Sequence, residues 1–338
     1  MTLPMPMQKK ATNDTLKQVA IELEKVTEAA LFSHVYPDGD CLGSMLALGL
    51  ALERMGKKIF LYNASPIPDS LKFLPGIEQI TDSLPQQLPE TLIFIDCADF
   101  DRIDINGLTK DVLLGKKVLN IDHHISNDYF GTINWVDSKA AATGEMIYRL
   151  IRKLGIKIYK DIAVNMYTAI ITDTGRFSFS NTTPKSFKIA AELVRTGIDL
   201  VHINNILFEE KSLAQTRLLY KALSNLELLH GGTIAIIALS KSDFETSGAE
   251  ESLSEGLVNY ARNIEKVEAA ALLKEIDYSD IKVSFRSNSW LDVNEVAQKL
   301  GGGGHVRASG CTINLPFKEA KQKVIFALEE ALNIERDC

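Results

Sequence analysis

Apolar and polar positions change their period along the chain, and each change marks an element. The short apolar runs 31–35, 58–63, 91–95 and 118–121 read as buried strands. Residues 16–30, 41–55, 142–154 and 162–171 instead repeat apolar positions at helical spacing. Strands alternating with helices predict an α/β fold whose first part is a mostly parallel sheet covered by helices on both faces. From Thr183 to His230 the pattern is almost wholly helical, with Thr182-Thr183-Pro184 as a start signal and Gly197 as a break. After Gly231-Gly232 strand signals return at 233–239, 269–276 and 281–285, then a helix at 293–300, a strand at 311–315 and a closing helix at 317–332. The expected organisation is a first domain over residues 1–190, a helical connector over 191–230 and a smaller α/β domain over 231–338.

Polar residues able to bind metal stand where the apolar runs of the first domain stop. They are His34, Asp38 and Asp40 in His34-Val35-Tyr36-Pro37-Asp38-Gly39-Asp40, Asp96 after the third run, Asp122-His123-His124 after the fourth, and Asp173 at a helix end. Strand ends of an α/β sheet gather at its carboxyl edge, the usual place for a ligand. Pro37 and Gly39 break regular structure, so the first loop can aim alternate carboxylates at neighbouring ions. Asp96 is positioned to bridge two metals, His123 to ligate one, and Asp122 to orient neighbouring groups. Four or more carboxylates gathered with imidazoles repel one another without cations, and a pair of divalent ions resolves this while supplying hydrolytic chemistry. Mixed imidazole and carboxylate ligands suit Mn²⁺, with Mg²⁺, Co²⁺ or Fe²⁺ as alternatives, and the absence of Cys ligands argues against structural zinc. Taken singly, each cluster is more often a solvated turn or a cap.

In the second domain, Gly301-Gly302-Gly303-Gly304-His305-Val306-Arg307 follows a helix. Four glycines allow a close approach of backbone N–H groups to an anion, and His305 and Arg307 add directional donors. The run lacks the strand–turn–helix context of a dinucleotide fingerprint. Arg286, at a strand end, is a further candidate donor.

Composition narrows the partners. At 338 residues the chain exceeds one core of about 150 residues. Its net charge is −7, and residues 231–338 hold 12 Lys+Arg against 17 Asp+Glu. Long nucleic acid is usually tracked by a basic stripe, so a short phosphorylated substrate fits better and long duplexes are excluded. No apolar run approaches the roughly 18 residues of a membrane span, and Met1–Lys10 lacks the apolar stretch of a secretory leader. The four cysteines show no paired spacing, which points to a reducing, cytoplasmic setting.

With these motifs in this order, the chain resembles the DHH phosphoesterase superfamily, and within it the standalone DHH–DHHA1 proteins of the nano-RNase and pAp-phosphatase type. The resemblance implies one metal on His34, Asp38 and Asp96, and another on Asp40, Asp96, His123 and Asp173. It implies that His124, with Asp122 beside it, acts at the phosphoryl group rather than as a ligand. It also implies that Arg286, Gly303, Gly304, His305 and Arg307 grip the substrate. The implied activity is hydrolysis of linear dinucleotides and nanoRNA to nucleoside 5′-monophosphates, and of pAp to AMP. Cyclic dinucleotides are the alternative substrate, and a homodimer is compatible with the type. A RecJ-like exonuclease would need a longer, more basic chain, and a non-catalytic nucleotide sensor has no need of six intact ligands.

Overall fold

The computed structural model describes residues 13–333, so the segment Met1–Lys10 and Cys338 lie outside the described residues. The chain divides into two compact units between Glu210 and Lys211.

The first unit is built on six strands: β1 (Glu28–Ser33), β2 (Lys58–Tyr62), β3 (Ile80–Thr81), β4 (Thr91–Ile95), β5 (Lys117–Asp122) and β6 (Ile133–Val136). They lie in the order β3-β2-β1-β4-β5-β6, and every neighbouring pair is parallel. The helices are α1 (Leu16–Lys25), α2 (Gly39–Arg54), α3 (Thr143–Lys153), α4 (Lys160–Asp173), α5 (Pro184–Val194) and α6 (Leu200–Asn204). α2, α3 and α4 lie within two residues of their expected bounds, but α1 stops at Lys25 and not at residue 30, because residues 28–30 pair with β2 and β4 as the start of β1. Buried residues of all six join the strands in one large core, among them Leu23, Met45, Ile147, Met166, Leu193 and Ile203. The opposite face holds Phe32, Tyr62 and Phe94, and is closed by loops with 3-10 turns at Phe100–Arg102 and Lys110–Leu113. Phe32 stacks between Tyr62 and Phe94, which makes this thin cover an aromatic layer.

Two features aim this unit at a site. Strand order reverses between β1 and β4, the switch point where parallel sheets bind ligands. The register there pairs Ser33 with Ile95 and Ile95 with Ile121, so His34, Asp96 and Asp122 leave three adjacent strands at one level.

The second unit comprises α7 (Leu213–Ser224), β7 (Leu226–Leu229), β8 (Ile234–Leu239), α8 (Lys241–Ser247), α9 (Leu257–Arg262), β9 (Ala269–Asp277), β10 (Asp280–Ser287), α10 (Val293–Lys299), β11 (Gly303–His305), β12 (Ala308–Ile313) and α11 (Phe317–Ala331). Its mixed sheet runs β11-β12-β10-β9-β8-β7. Helices α10 and α11 pack on one face and α7, α8 and α9 on the other. The unit boundary falls inside the expected connector: α5 and α6 bury Leu193 and Ile203 in the first core, and α7 buries Leu218 and Ala222 in the second. The helical pattern expected up to His230 stops early, because Leu226–Leu229 pairs antiparallel with β8 as an edge strand.

Helices α2 and α4 touch through glycine. A Cβ on Gly39 would lie 2.5 Å from Thr172 Oγ1, and one on Gly43 would lie 2.4 Å from the Asn165 carbonyl oxygen. The second obstacle is backbone and cannot swing aside. Gly43→Ala must therefore push the helices apart, and should destabilise the first unit by about 1–3 kcal/mol, the usual cost of overpacking. Denaturant unfolding of the variant checks this; a midpoint equal to that of the parent chain would show that the contact is not tight.

Candidate metal centre

Eight of the residues singled out in the sequence meet at the carboxyl edge of the first sheet. Asp38 caps α2, its carboxylate accepting the Cys41 N–H at 2.9 Å, and Asp40 follows in the first turn. Nε2 of His123 lies 3.7 Å from Asp40 Oδ2, 3.7 Å from Asp96 Oδ1 and 3.6 Å from Asp173 Oδ2. Nε2 of His34 lies 3.6 Å from the other oxygen of Asp96. Asp96 thus stands between two groups, one with His34 and Asp38, the other with Asp40, His123 and Asp173, and within each of these groups ligand atoms fall within 4.8 Å of one another. Cys41 borders the first group and is wholly buried, and burial pushes its thiol well up.

The imidazoles are oriented by their other nitrogens. Nδ1 lies 2.8 Å from the Val35 carbonyl in His34 and 3.3 Å from the Ala140 carbonyl in His123. A carbonyl only accepts, so in both rings Nδ1 donates and Nε2 is the atom that faces the cluster. His124 differs: its Nδ1 donates to Asp122 Oδ1 at 2.7 Å. That bond to Asp122 raises the imidazole to about 9 against the cost of burial.

Asp122 is wholly buried and its second oxygen accepts Asn127 Nδ2 at 2.6 Å, while the Asn127 amide also reaches Asn120 Oδ1 at 2.8 Å. Neither asparagine stood out in the sequence, since isolated Asn residues usually mark turns. Thr143 and Gly144 were missed as well. Their N–H groups, at the start of α3, donate to Asp40 at 2.6 and 2.9 Å, and Thr143 Oγ1 donates to Asp96 at 2.8 Å. A helix start of Thr-Gly-Glu after three alanines was the available signal.

Charge is crowded here. Burial, then the charges of Asp96 and Asp173, pushes the Asp40 carboxyl well up. Burial likewise raises Asp173 to about 6, with the charge of Asp96 adding to it. Burial also opposes ionisation of Asp96, but the His34 bond and the flanking imidazoles outweigh it and hold that carboxyl at about 2. Asp96 further adopts a left-handed backbone, φ 58°, which is strained for a non-glycine residue.

In the second unit the pairings Arg286↔Ala308 and His305↔Ala308 set Arg286 and His305 on one face of the sheet. Arg286 is half-buried and lines a cleft of about 470 Å³ with Lys274, Ser284 and Glu255. Two expectations change. Gly303 and Gly304 do not form an open anion nest, because both belong to strand β11 paired with β12. Glycine is needed there for close backbone approach: a Cβ on Gly302 would lie 2.1 Å from the Gly310 carbonyl oxygen, and one on Gly304 would lie 2.6 Å from Ser309 Cα. Arg307 also turns away from an open role. Its guanidinium donates to the Leu291 carbonyl at 2.7 Å and to the Ser289 carbonyl, so it ties down the neighbouring turn after β10.

Comparison with known proteins identifies the family of both units. Residues 28–170 match the DHH family, N-terminal domain, and residues 232–333 match the DHHA1 domain. The chain is 35% identical over 322 residues to a protein of Thermus thermophilus named bifunctional oligoribonuclease and PAP phosphatase NrnA, covering 93% of this chain and 94% of that one. It is 33% identical to the Bacillus subtilis protein of the same name, covering 84% of this chain and 88% of that one. A crystal structure of an exopolyphosphatase-related protein from Bacteroides fragilis superposes with a TM-score of 0.85 at 29% identity, covering 93% of this chain and 95% of that one.

The crowding has a measurable sign. A carboxyl raised in the folded state costs stability when ionised, and the cost is complete above about pH 6 for Asp173. In chelator at pH 8, Asp173→Asn should therefore stabilise the first unit by about 1–2 kcal/mol, allowing for partial exposure. The difference should close as the pH falls toward 4. Thermal unfolding at the two pH values tests it, and a lower midpoint for the variant at pH 8 would refute the repulsion.

Proposed function

The chain belongs to the DHH family, with a DHHA1 domain following the DHH domain, and from that membership we propose that it is a two-metal hydrolase of short oligoribonucleotides and of pAp. The single observation that carries the reading is the convergence of Asp40, Asp96 and Asp173 on one imidazole nitrogen of His123. Such a set is self-repelling as it stands, and oxygen and imidazole donors around it suit hard or borderline divalent ions. His34, Asp38 and Asp96 would hold one ion, and Asp40, Asp96, His123 and Asp173 the other, with Mn²⁺ as the favoured occupant. When bound, the ions would act as Lewis acids on the phosphoryl oxygens and acidify a water between them.

The chain's own groups supply the rest. Asn127 fixes Asp122, and Asp122 holds Nδ1–H of His124, so the ring keeps one orientation and one tautomer. His124 is not needed as a ligand in this scheme, and its Nε2–H serves as donor to the reacting phosphate or its leaving oxygen. Arg286 and His305 serve as the substrate grip of the second unit, which makes attack effectively unimolecular. Support for short substrates comes from the names of the relatives at 33–35% identity and from the net charge of −7.

Asp96→Ala should abolish turnover of a dinucleotide and lower the Mn²⁺ content after reconstitution, because this carboxylate faces both groups. His124→Ala should keep its metal while losing about 10²–10⁴-fold in kcat, the range of a lost general acid. Equal loss of metal in the two variants, read by elemental analysis, would remove the distinction between ligand and proton donor. Full turnover in excess EDTA by metal-free protein would end the two-metal reading altogether.

With so little positive charge to release counterions, cleavage should be fastest on RNA of about two to four nucleotides and fall steeply with length. A 5′-labelled length series, run beside pAp and a cyclic dinucleotide, decides this. Faster cleavage of a ~20-mer would indicate a strand-tracking exonuclease, and preference for the ring would indicate a cyclic-dinucleotide phosphodiesterase.

A further inference from the structure

The turn after β10, residues 287–291, is held far more firmly than its exposure requires. Glu268 is buried, at 7% exposure, and its carboxylate accepts three consecutive backbone N–H groups: Ser289 at 3.2 Å, Trp290 at 2.9 Å and Leu291 at 2.8 Å. It also accepts the Ser289 hydroxyl at 2.5 Å. From the other side Arg307 donates to the carbonyls of Leu291 and Ser289. The Asn288 amide closes the start of the turn on the Arg262 and Val267 carbonyls, both at 2.7 Å. An exposed loop usually leaves such groups to water. Here a buried carboxylate and a guanidinium hold it, and the side chain they present is Trp290, 60% exposed.

The backbone beneath this indole is held on both sides, while most of the ring faces water. An exposed indole suits stacking, because every base has a π-face, and an anchored backbone leaves less freedom to be lost on contact. The turn begins one residue beyond Arg286, and its clamp Arg307 belongs to the β11–β12 turn that follows His305. Arg286 and His305 therefore stand at the ends of the strands that lead into the two connections holding Trp290 and Arg307. We infer that Trp290 is a stacking platform for a nucleobase, specifying base-bearing phosphates over bare sugar phosphates, with Glu268 and Arg307 as its positioning residues. This deepens the proposed function and rests on it only for the identity of the substrate.

The chain has two tryptophans, which makes the inference directly readable. Trp135 is 4% exposed and packed beneath the Arg149 guanidinium, so Trp290 supplies the red-shifted, quenchable emission. Titration of the full chain with AMP should quench that component, ribose 5-phosphate should not, and Trp290→Phe should remove the response. In turnover, Trp290→Ala should raise KM for a dinucleotide about 10–100-fold, the range of one lost stack, with kcat little changed. On a dinucleotide whose bases are replaced by hydrogen, parent and variant should differ by less than about 3-fold.

Absence of quenching at millimolar AMP, equal quenching by ribose 5-phosphate, or equal losses on the base-bearing and base-free substrates would each overturn the platform. Emission that shifts with protein concentration in the absence of nucleotide would assign Trp290 to a contact with another copy of the chain, and would overturn it too. If AMP quenches but no oligoribonucleotide is cleaved, the stacking site stands and the proposed reaction fails. If dinucleotides are cleaved with the Trp290 variants unaffected, the reverse holds.

Discussion

Like charges brought together out of water are the constraint on which this structure turns. Three carboxylates share one imidazole nitrogen at 3.6–3.7 Å, and the surroundings are organised to keep them there. Asp40 is held by the first N–H groups of α3, where the helix dipole favours an anion. Asp96 sits on a strained backbone at a strand end, fixed by Thr143 and by the bond from its own N–H to the Ile121 carbonyl. Asp173 arrives at the end of α4, which can approach α2 only because Gly39 and Gly43 carry no side chain. The sheet register, the glycine contact and the helix start are three solutions to one electrostatic problem.

The sequence disclosed the parts of this that depend on local pattern. Apart from the end of α1, the expected strand and helix ends of the first unit fall within a few residues of their places, and His34, Asp96, Asp122 and Asp173 stand at such ends because the carboxyl edge of a parallel sheet collects them. What remained hidden depends on tertiary contact. Asn120 and Asn127 matter because folding sets them against Asp122, and nothing in their immediate neighbours announces it. β6 escaped notice because Asn134 interrupts a four-residue run, and β7 because Leu-Glu-Leu-Leu continues a helical rhythm until β8 claims it.

The glycine run teaches a related lesson. Four glycines before a histidine resemble an anion nest, and the backbone freedom is real, but it is spent on hairpin closure: β11 and β12 approach so nearly that a methyl group on Gly302 or Gly304 would strike backbone atoms. Arg307, the obvious cation of the motif, is used in the same way to hold a neighbouring turn. Local chemistry singled out these residues as anion donors, while the fold gives Gly302, Gly304 and Arg307 contacts within the unit itself, since hydrogen-bond donors serve whichever acceptor the fold brings nearest.

The close crossing of α2 and α4 also fixes an order of events in synthesis. The residues of the metal centre begin at His34 and end at Asp173, the final residue of α4. A nascent chain that has emerged only as far as β6 holds the β1 loop, Asp96 and the two histidines in place, but lacks the last carboxylate and the α3 N-terminus that secures Asp40. The full ligand set is therefore complete only once α4 has docked, late in the emergence of the first unit. A chain that has emerged only to about residue 140 would carry a nearly complete sheet with an unfinished acidic mouth, the kind of exposed intermediate that larger chains pass through.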